Sequence, residues 1–181
     1  PTFFITRKIA GNYAGFIASF IVAIHPAILG RTSAGFADTD IYSLFFPLMI
    51  LWTFLEGFST EKTKNKMVLI GLSGLLTGLF SLAWEGWWFI FDIILGSLFI
   101  YFLFLLVRYR KEVFTKIKTR NLVKTTAFYF FASLVFVSLI VSFDDFTSAF
   151  AAPIGVVFLK EIAKPNLWPN VYTTVAELNV I

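Results

Sequence analysis

Residues 31–40, Arg-Thr-Ser-Ala-Gly-Phe-Ala-Asp-Thr-Asp, hold the densest set of groups able to do chemistry. If Asp38, Thr39 and Asp40 are extended, alternate side chains fall on one side, and both carboxylates point together with a neutral residue between them. Paired carboxylate oxygens suit a hard divalent cation such as Mg²⁺ or Mn²⁺. Two acids fill only part of such a coordination sphere, so further ligands must come from elsewhere in the chain. Arg31 can balance their charge or grip a phosphate with its planar fork. Gly35 allows a backbone turn between the arginine and the acids. A second reading stands beside the metal site: Asp40 as the N-cap of the helix that follows. Cysteine is absent, which removes disulfides, thiolate metal sites and thiol catalysis.

Other polar groups have simpler readings. His25-Pro26 marks a proline-associated break, because a lone histidine is too little for a metal site. Glu56 lies near a helix end and can snorkel to the surface. Asp92 lies about one turn into an apolar run, where an acid calls for a partner or a wet cavity. Trp84, Trp87 and Trp88 read first as an interfacial aromatic belt, and second as a contact for a lipid carrier.

The elements that must position these groups are membrane helices. Of the 181 residues, 58% are hydrophobic and 14% charged, against about 25% charged in soluble domains. Phenylalanine alone supplies 24 residues, a side chain that lipid accommodates with no hydrogen-bond demand. The net charge of +4 does not signal nucleic acid, since the basic residues sit in short segments between apolar runs. The expected fold is all-α: a polytopic transmembrane bundle with about five spans, at 10–29, 41–58, 67–83, 87–107 and 125–141. A sixth apolar patch, 153–159, is interrupted by Pro153 and reads as re-entrant or interfacial.

Five spans put three basic segments on one side. These are Arg7 and Lys8, then Lys62, Lys64 and Lys66 in the loop 59–66, then Arg108 to Lys124 in the loop 108–124. The positive-inside rule makes that side cytoplasmic, and the last segment can also meet anionic headgroups. The opposite, external side then holds the loops 30–40, 84–86 and 143–181, with Asp38, Asp40, Glu85, Asp144, Asp145, Glu161 and Glu177. For Asp144, Asp145 and Glu161 the plain reading, acids lying where Lys and Arg do not, carries equal weight. Gly11 and Gly15, and again Gly74 and Gly78, have the spacing of small residues that lets helix backbones approach. Packing within the bundle is the preferred reading of both pairs, ahead of a dimer interface.

Three segments together carry a resemblance. The run 31–40, followed by "IYSLFFPLMILWTFLEGF", resembles the second external-loop motif of the catalytic subunit of oligosaccharyltransferase: an arginine, a glycine, then two acids one residue apart. Arg31, Gly35, Asp38 and Asp40 fill those places. "SLAWEGWWFIF" is similar to the family's tryptophan- and glycine-containing link between later helices, with Glu85 where relatives often carry a small residue. "WPNVYTTVAEL" is similar to the archaeal form of its fifth external loop, and Thr174 and Glu177 match a Ser/Thr-x-x-Glu element.

The resemblance implies the middle of the membrane domain of a GT-C-like glycosyltransferase, archaeal in type, set in the cell membrane with its catalytic loops extracytoplasmic. It implies transfer of an oligosaccharide from a dolichyl or other polyprenyl phosphate or diphosphate to Asn in an Asn-x-Ser/Thr sequon. By carry-over, Asp38, Asp40 and Glu177 build a Mn²⁺ or Mg²⁺ site, Glu177 also accepts from the acceptor amide, and Arg31 supports the acids or meets acceptor or phosphate. The chain starts at Pro1 without Met and is expected to be an internal piece. An earlier acidic loop and a later sequon-gripping domain are expected beyond it, and the piece alone is expected to be inactive. Two other readings remain: another polyprenyl-phosphate-sugar transferase with a different acceptor, and a transporter whose acids carry ions. The placing of the acids at helix mouths argues against the transporter.

Overall fold

A computed structural model describes residues 1–32, 40–110, 113 and 116–162, with the side chains of 27, 31, 32, 40 and 154–162 outside that description. The described residues form helices α1 (Thr2–Ile24), α2 (Pro26–Thr32), α3 (Asp40–Ser59), α4 (Thr63–Ala83), α5 (Trp88–Tyr109), α6 (Ile117–Ile140) and α7 (Phe143–Ile162). A 3-10 turn, Glu85–Trp87, joins α4 to α5.

Among the described residues, four stretches are long and apolar enough to cross a membrane: Ile41–Ser59, Thr63–Ala83, Glu85–Tyr109 and Ile117–Ile140. At ~1.5 Å rise per residue, each approaches or exceeds the ~30 Å hydrocarbon layer. Four of the five expected spans are thereby met. The remaining one, 10–29, is divided. Gly11 takes φ 87° and ψ 178°, a conformation that side chains on L-residues rarely adopt, so α1 bends sharply there. His25 is extended (φ −65°, ψ 122°), as the residue before a proline tends to be, and α2 restarts at Pro26. An apolar count cannot register either break.

The contacts fix the directions of the helices. Gly57 lies against Ile70, Ser73 Oγ donates to the carbonyl of Ile50 (3.2 Å), and Phe46 stacks on Phe80 (5.6 Å), so α3 and α4 are antiparallel. Gly71, Gly74 and Gly78 face Phe128, Ala132 and Phe136 in turn, so α4 and α6 run parallel. α5 returns in the opposite direction and packs on α6, with Phe91 near Tyr129 and Phe130. A Cβ on Gly74 would stand 2.7 Å from that of Ala132, and one on Gly78 2.8 Å from that of Phe136. The second small-residue pair therefore packs inside the bundle, as expected. Gly11 and Gly15 differ, because the bend separates them. Gly15 instead lies against the carbonyl of Phe3 and against Arg7, where the two halves of α1 meet.

Lys8 Nζ and Glu56 Oε2 pair at 2.6 Å, and Phe4 stacks on Trp52, so the first half of α1 lies along the end of α3. Glu56 therefore answers a cation as well as reaching the surface. Lys66 and Lys124 line one cleft at this same end of α4 and α6. The three basic segments gather at one end of the bundle, as the loop reading requires. Their boundaries differ from expectation: Thr63 to Lys66 and residues 117–124 are already helical. Ile93, Phe99, Ile100, Phe104, Val107, Phe131 and Leu139 are exposed, an apolar surface that water would not tolerate and lipid would.

Candidate functional site

Antiparallel pairing sends Asp40, the first residue of α3, to the end opposite Lys8 and Glu56. The α4–α5 link (84–87) and the start of α7 lie at that same end. Asp40, Glu85, Asp144 and Asp145 are thus segregated from the lysine and arginine segments by the length of the bundle. Arg31 lies in the last turn of α2, which packs on α3, so arginine and aspartate are carried by neighbouring helices. Asp38 and Glu177 lie outside the described residues, as do Gly35 and Thr174.

The frame around these acids is aromatic. Trp84 is extended (φ −159°, ψ 133°), which ends α4 and turns its indole over Phe80 and toward Phe89. The ring also covers Gly86, so closely that any side chain there would collide with it. Gly86 is small because Trp84 needs the space. Trp87 is 3% exposed and stacks toward Phe146 on α7, with Phe91 beneath. Only part of the interfacial-belt reading therefore holds. Trp84, at 40% exposure, sits as a belt residue does, whereas Trp87 is a core anchor joining α5 to α7.

Segment 143–181, expected as an external loop, begins instead with a 20-residue helix, and the patch 153–159 belongs to it. Ser142 explains the start. Its hydroxyl accepts from the Asp145 amide (3.0 Å), as an N-cap does, and donates to Asp145 Oδ2 (2.6 Å), which holds the cap in place. Asp144 and Asp145 occupy the first turn, where the helix dipole favours negative charge. These two acids are structural, and Ser-x-x-Asp before an apolar run was a readable signal. Pro153 lies inside the helix, where it removes one bond, to the Ala149 carbonyl, without ending it. Phe146 and Ala149 bury this helix against α5 and α6.

Asp92 is one turn deeper. Its Oδ2 is buried with no hydrogen-bond partner, and it forms no ion pair among the described residues. No group of three or more His, Asp or Glu side chains that could hold a metal occurs among the described residues.

The family model described as oligosaccharyl transferase STT3, N-terminal, matches residues 1–180. The chain belongs to this family. Among similar relatives are three archaeal proteins, each named a dolichyl-phosphooligosaccharide-protein glycotransferase. The one from Methanococcus voltae is 28% identical, over 99% of this chain and 22% of its own length. That from Methanocaldococcus jannaschii is 28% identical over 98% of this chain and 27% of its own. A third, from Archaeoglobus fulgidus, is 29% identical over 88% of this chain and 19% of its own. The chain thus spans about a fifth to a quarter of the relatives it matches. No solved structure matches it. With its span-length helices, this STT3-family chain is a multi-pass membrane protein.

Proposed function

We propose that this chain forms the membrane core of an oligosaccharyltransferase that moves a glycan from a polyprenyl phosphate or diphosphate to Asn of an Asn-x-Ser/Thr sequon. The observation that carries the reading is the STT3 match over residues 1–180, which includes the Arg31, Asp38 and Asp40 motif. Transfer forms a bond between the acceptor's amide nitrogen and the anomeric carbon of the first sugar. It breaks the bond from that carbon to the carrier's phosphate oxygen. The leaving phosphate keeps the electron pair, and the amide nitrogen gives up a proton.

An amide nitrogen is a poor nucleophile because its lone pair is delocalised into the carbonyl. Glu177 accepts from its N–H, holding the nitrogen for attack and weakening that conjugation. Asp38, Asp40 and Glu177 supply carboxylate oxygens suited to Mn²⁺ or Mg²⁺. Such a cation, when bound, stabilises negative charge on the leaving phosphate. Arg31 orients the acids or meets the phosphate. The basic end of the bundle is cytoplasmic by the positive-inside rule, so Asp40 and its neighbour Asp38 work on the extracytoplasmic face of the cell membrane.

The test uses membranes containing the full-length parent, its native lipid-linked glycan, and two peptides, Asn-x-Thr and Asn-x-Ala. A glycan-sized mass gain on the first alone is expected. No gain on either, with the carrier shown to be present, would transfer the reading to a polyprenyl-phosphate-sugar transferase with another acceptor.

A further inference from the structure

At the basic end, α4 and α6 enclose a cleft of about 150 Å³. Lys66 reaches it from α4 and Lys124 from α6, with Asn121 and Thr125 beside them and Ile70 and Phe128 as an apolar floor. The parallel pairing explains why two lysines meet. Gly74 faces Ala132 and Gly78 faces Phe136, a constant offset of 58 residues, and the same offset pairs position 66 with 124. Each lysine is also the last charge before its helix's uncharged run, which opens at Met67 and at Thr125. Both cations therefore stand at one depth, where hydrocarbon gives way to headgroups. Glu61 lines the cleft too, which leaves it one net positive charge. Neither lysine forms an ion pair with Glu61 or any other acid among the described residues.

Like charges in register across parallel helices repel, and an anion between them reverses the sign. Topology needs lysines at this end but not two of them in one cleft with amide and hydroxyl donors. We infer that the cleft is a binding site for the phosphate of an anionic phospholipid, whose chain continues over exposed Met67 and Val68. The site is separate from glycan transfer and rests only on the membrane setting of the bundle.

The experiment titrates the detergent-purified full-length parent with phosphatidylglycerol or phosphatidylcholine and counts bound lipid by native mass spectrometry. Each lysine near an anionic headgroup is worth about fivefold and Glu61 offsets one of the two, so phosphatidylglycerol is preferred by about fivefold or more. Lys66→Gln with Lys124→Gln removes that preference, Lys66→Arg with Lys124→Arg keeps it, and Lys118→Gln with Arg120→Gln leaves it unchanged. Equal binding of both lipids by the wild type, or a preference surviving the Gln pair, overturns the site. Displacement by millimolar inorganic phosphate without any lipid preference would make it a soluble-anion site and also overturn the proposal. A third arm needs no loss of charge: Met67→Cys in the parent reacts with a membrane-soluble maleimide if lipid covers the cleft. Full protection would mean another helix fills it, and the lipid site would be withdrawn.

Discussion

The hydroxyls of Thr77 and Tyr129 meet at 3.1 Å between α4 and α6, both side chains fully buried. Thr77 donates its single proton to the carbonyl of Ser73 (2.9 Å), so Tyr129 is the donor in the shared bond. The two positions therefore respond differently to loss of a hydroxyl. Tyr129→Phe leaves Thr77 bonded to Ser73 and costs about 0.5–1.5 kcal/mol. Thr77→Val removes the tyrosine's acceptor at this position together with Thr77's own bond to Ser73 and costs about 1–3 kcal/mol, while Thr77→Ser is close to neutral. Unfolding of the parent in mixed micelles measures the order. A Tyr129→Phe variant less stable than Thr77→Val would reverse the assignment of donor. None of this was legible in the sequence, because both residues lie in the middle of apolar runs and their meeting depends on which helices pair. Ser142 and Asp145 were legible, since an N-cap is local. Asp40 has two readings at this scale, because an acid in the first turn of α3, one residue past the N-cap position, also suits the helix dipole.

Elements follow the apolar runs where a run is uniform and depart from them where one residue dictates the backbone. Four spans were readable to within a few residues, apart from extra turns at basic ends, because hydropathy alone decides them. The restart at Pro26 was readable from His25-Pro26, whereas the bend at Gly11 hangs on one residue's dihedrals inside a mostly apolar run. α7 escaped because its first turn is polar, although polar residues are what a helix N-terminus favours. The glycine stripe on α4 was readable as a packing surface, but its partner was not. Gly78→Ala pushes a methyl to 2.8 Å from the Phe136 Cβ and 3.0 Å from its backbone, so α6 must shift. Overpacking of this kind costs about 1–3 kcal/mol. Gly96→Ala meets nothing within 4 Å and changes stability by less than about 0.5 kcal/mol. The same micelle unfolding decides; equal effects at the two glycines would mean that α4 and α6 are not in close contact at Gly78.

On the scale of the whole molecule, most lysines and most aspartates lie at opposite ends, with Glu56 and Glu61 among the lysines and Arg31 on the acids' side. Lys8, Lys66 and Lys124 lie at one end, and Asp40, Glu85, Asp144 and Asp145 at the other. The sorting was visible in the order of loops and runs, and helix direction carries it into space. Cysteine at Lys64 in the parent is expected to react with an impermeant maleimide only after cells are opened, and cysteine at Glu85 in intact cells. Labelling of the Lys64 position from outside would invert the topology and put the acids on the wrong face for the proposed chemistry. The sequence is most informative about the acids themselves, whose pattern carries the family resemblance, and least about how distant ligands such as Glu177 join them.

The most direct measurement follows the mass shift of a fluorescent Asn-x-Thr peptide in membranes of the full-length parent with native lipid-linked glycan. It is run with Mn²⁺, with chelator, and with Asp40→Asn. A glycan-sized shift that falls at least ~100-fold under chelation, and again in the variant, is the predicted result. Undiminished transfer in chelator and in Asp40→Asn would contradict it, leaving Asp40 a first-turn helix acid and the chemistry elsewhere.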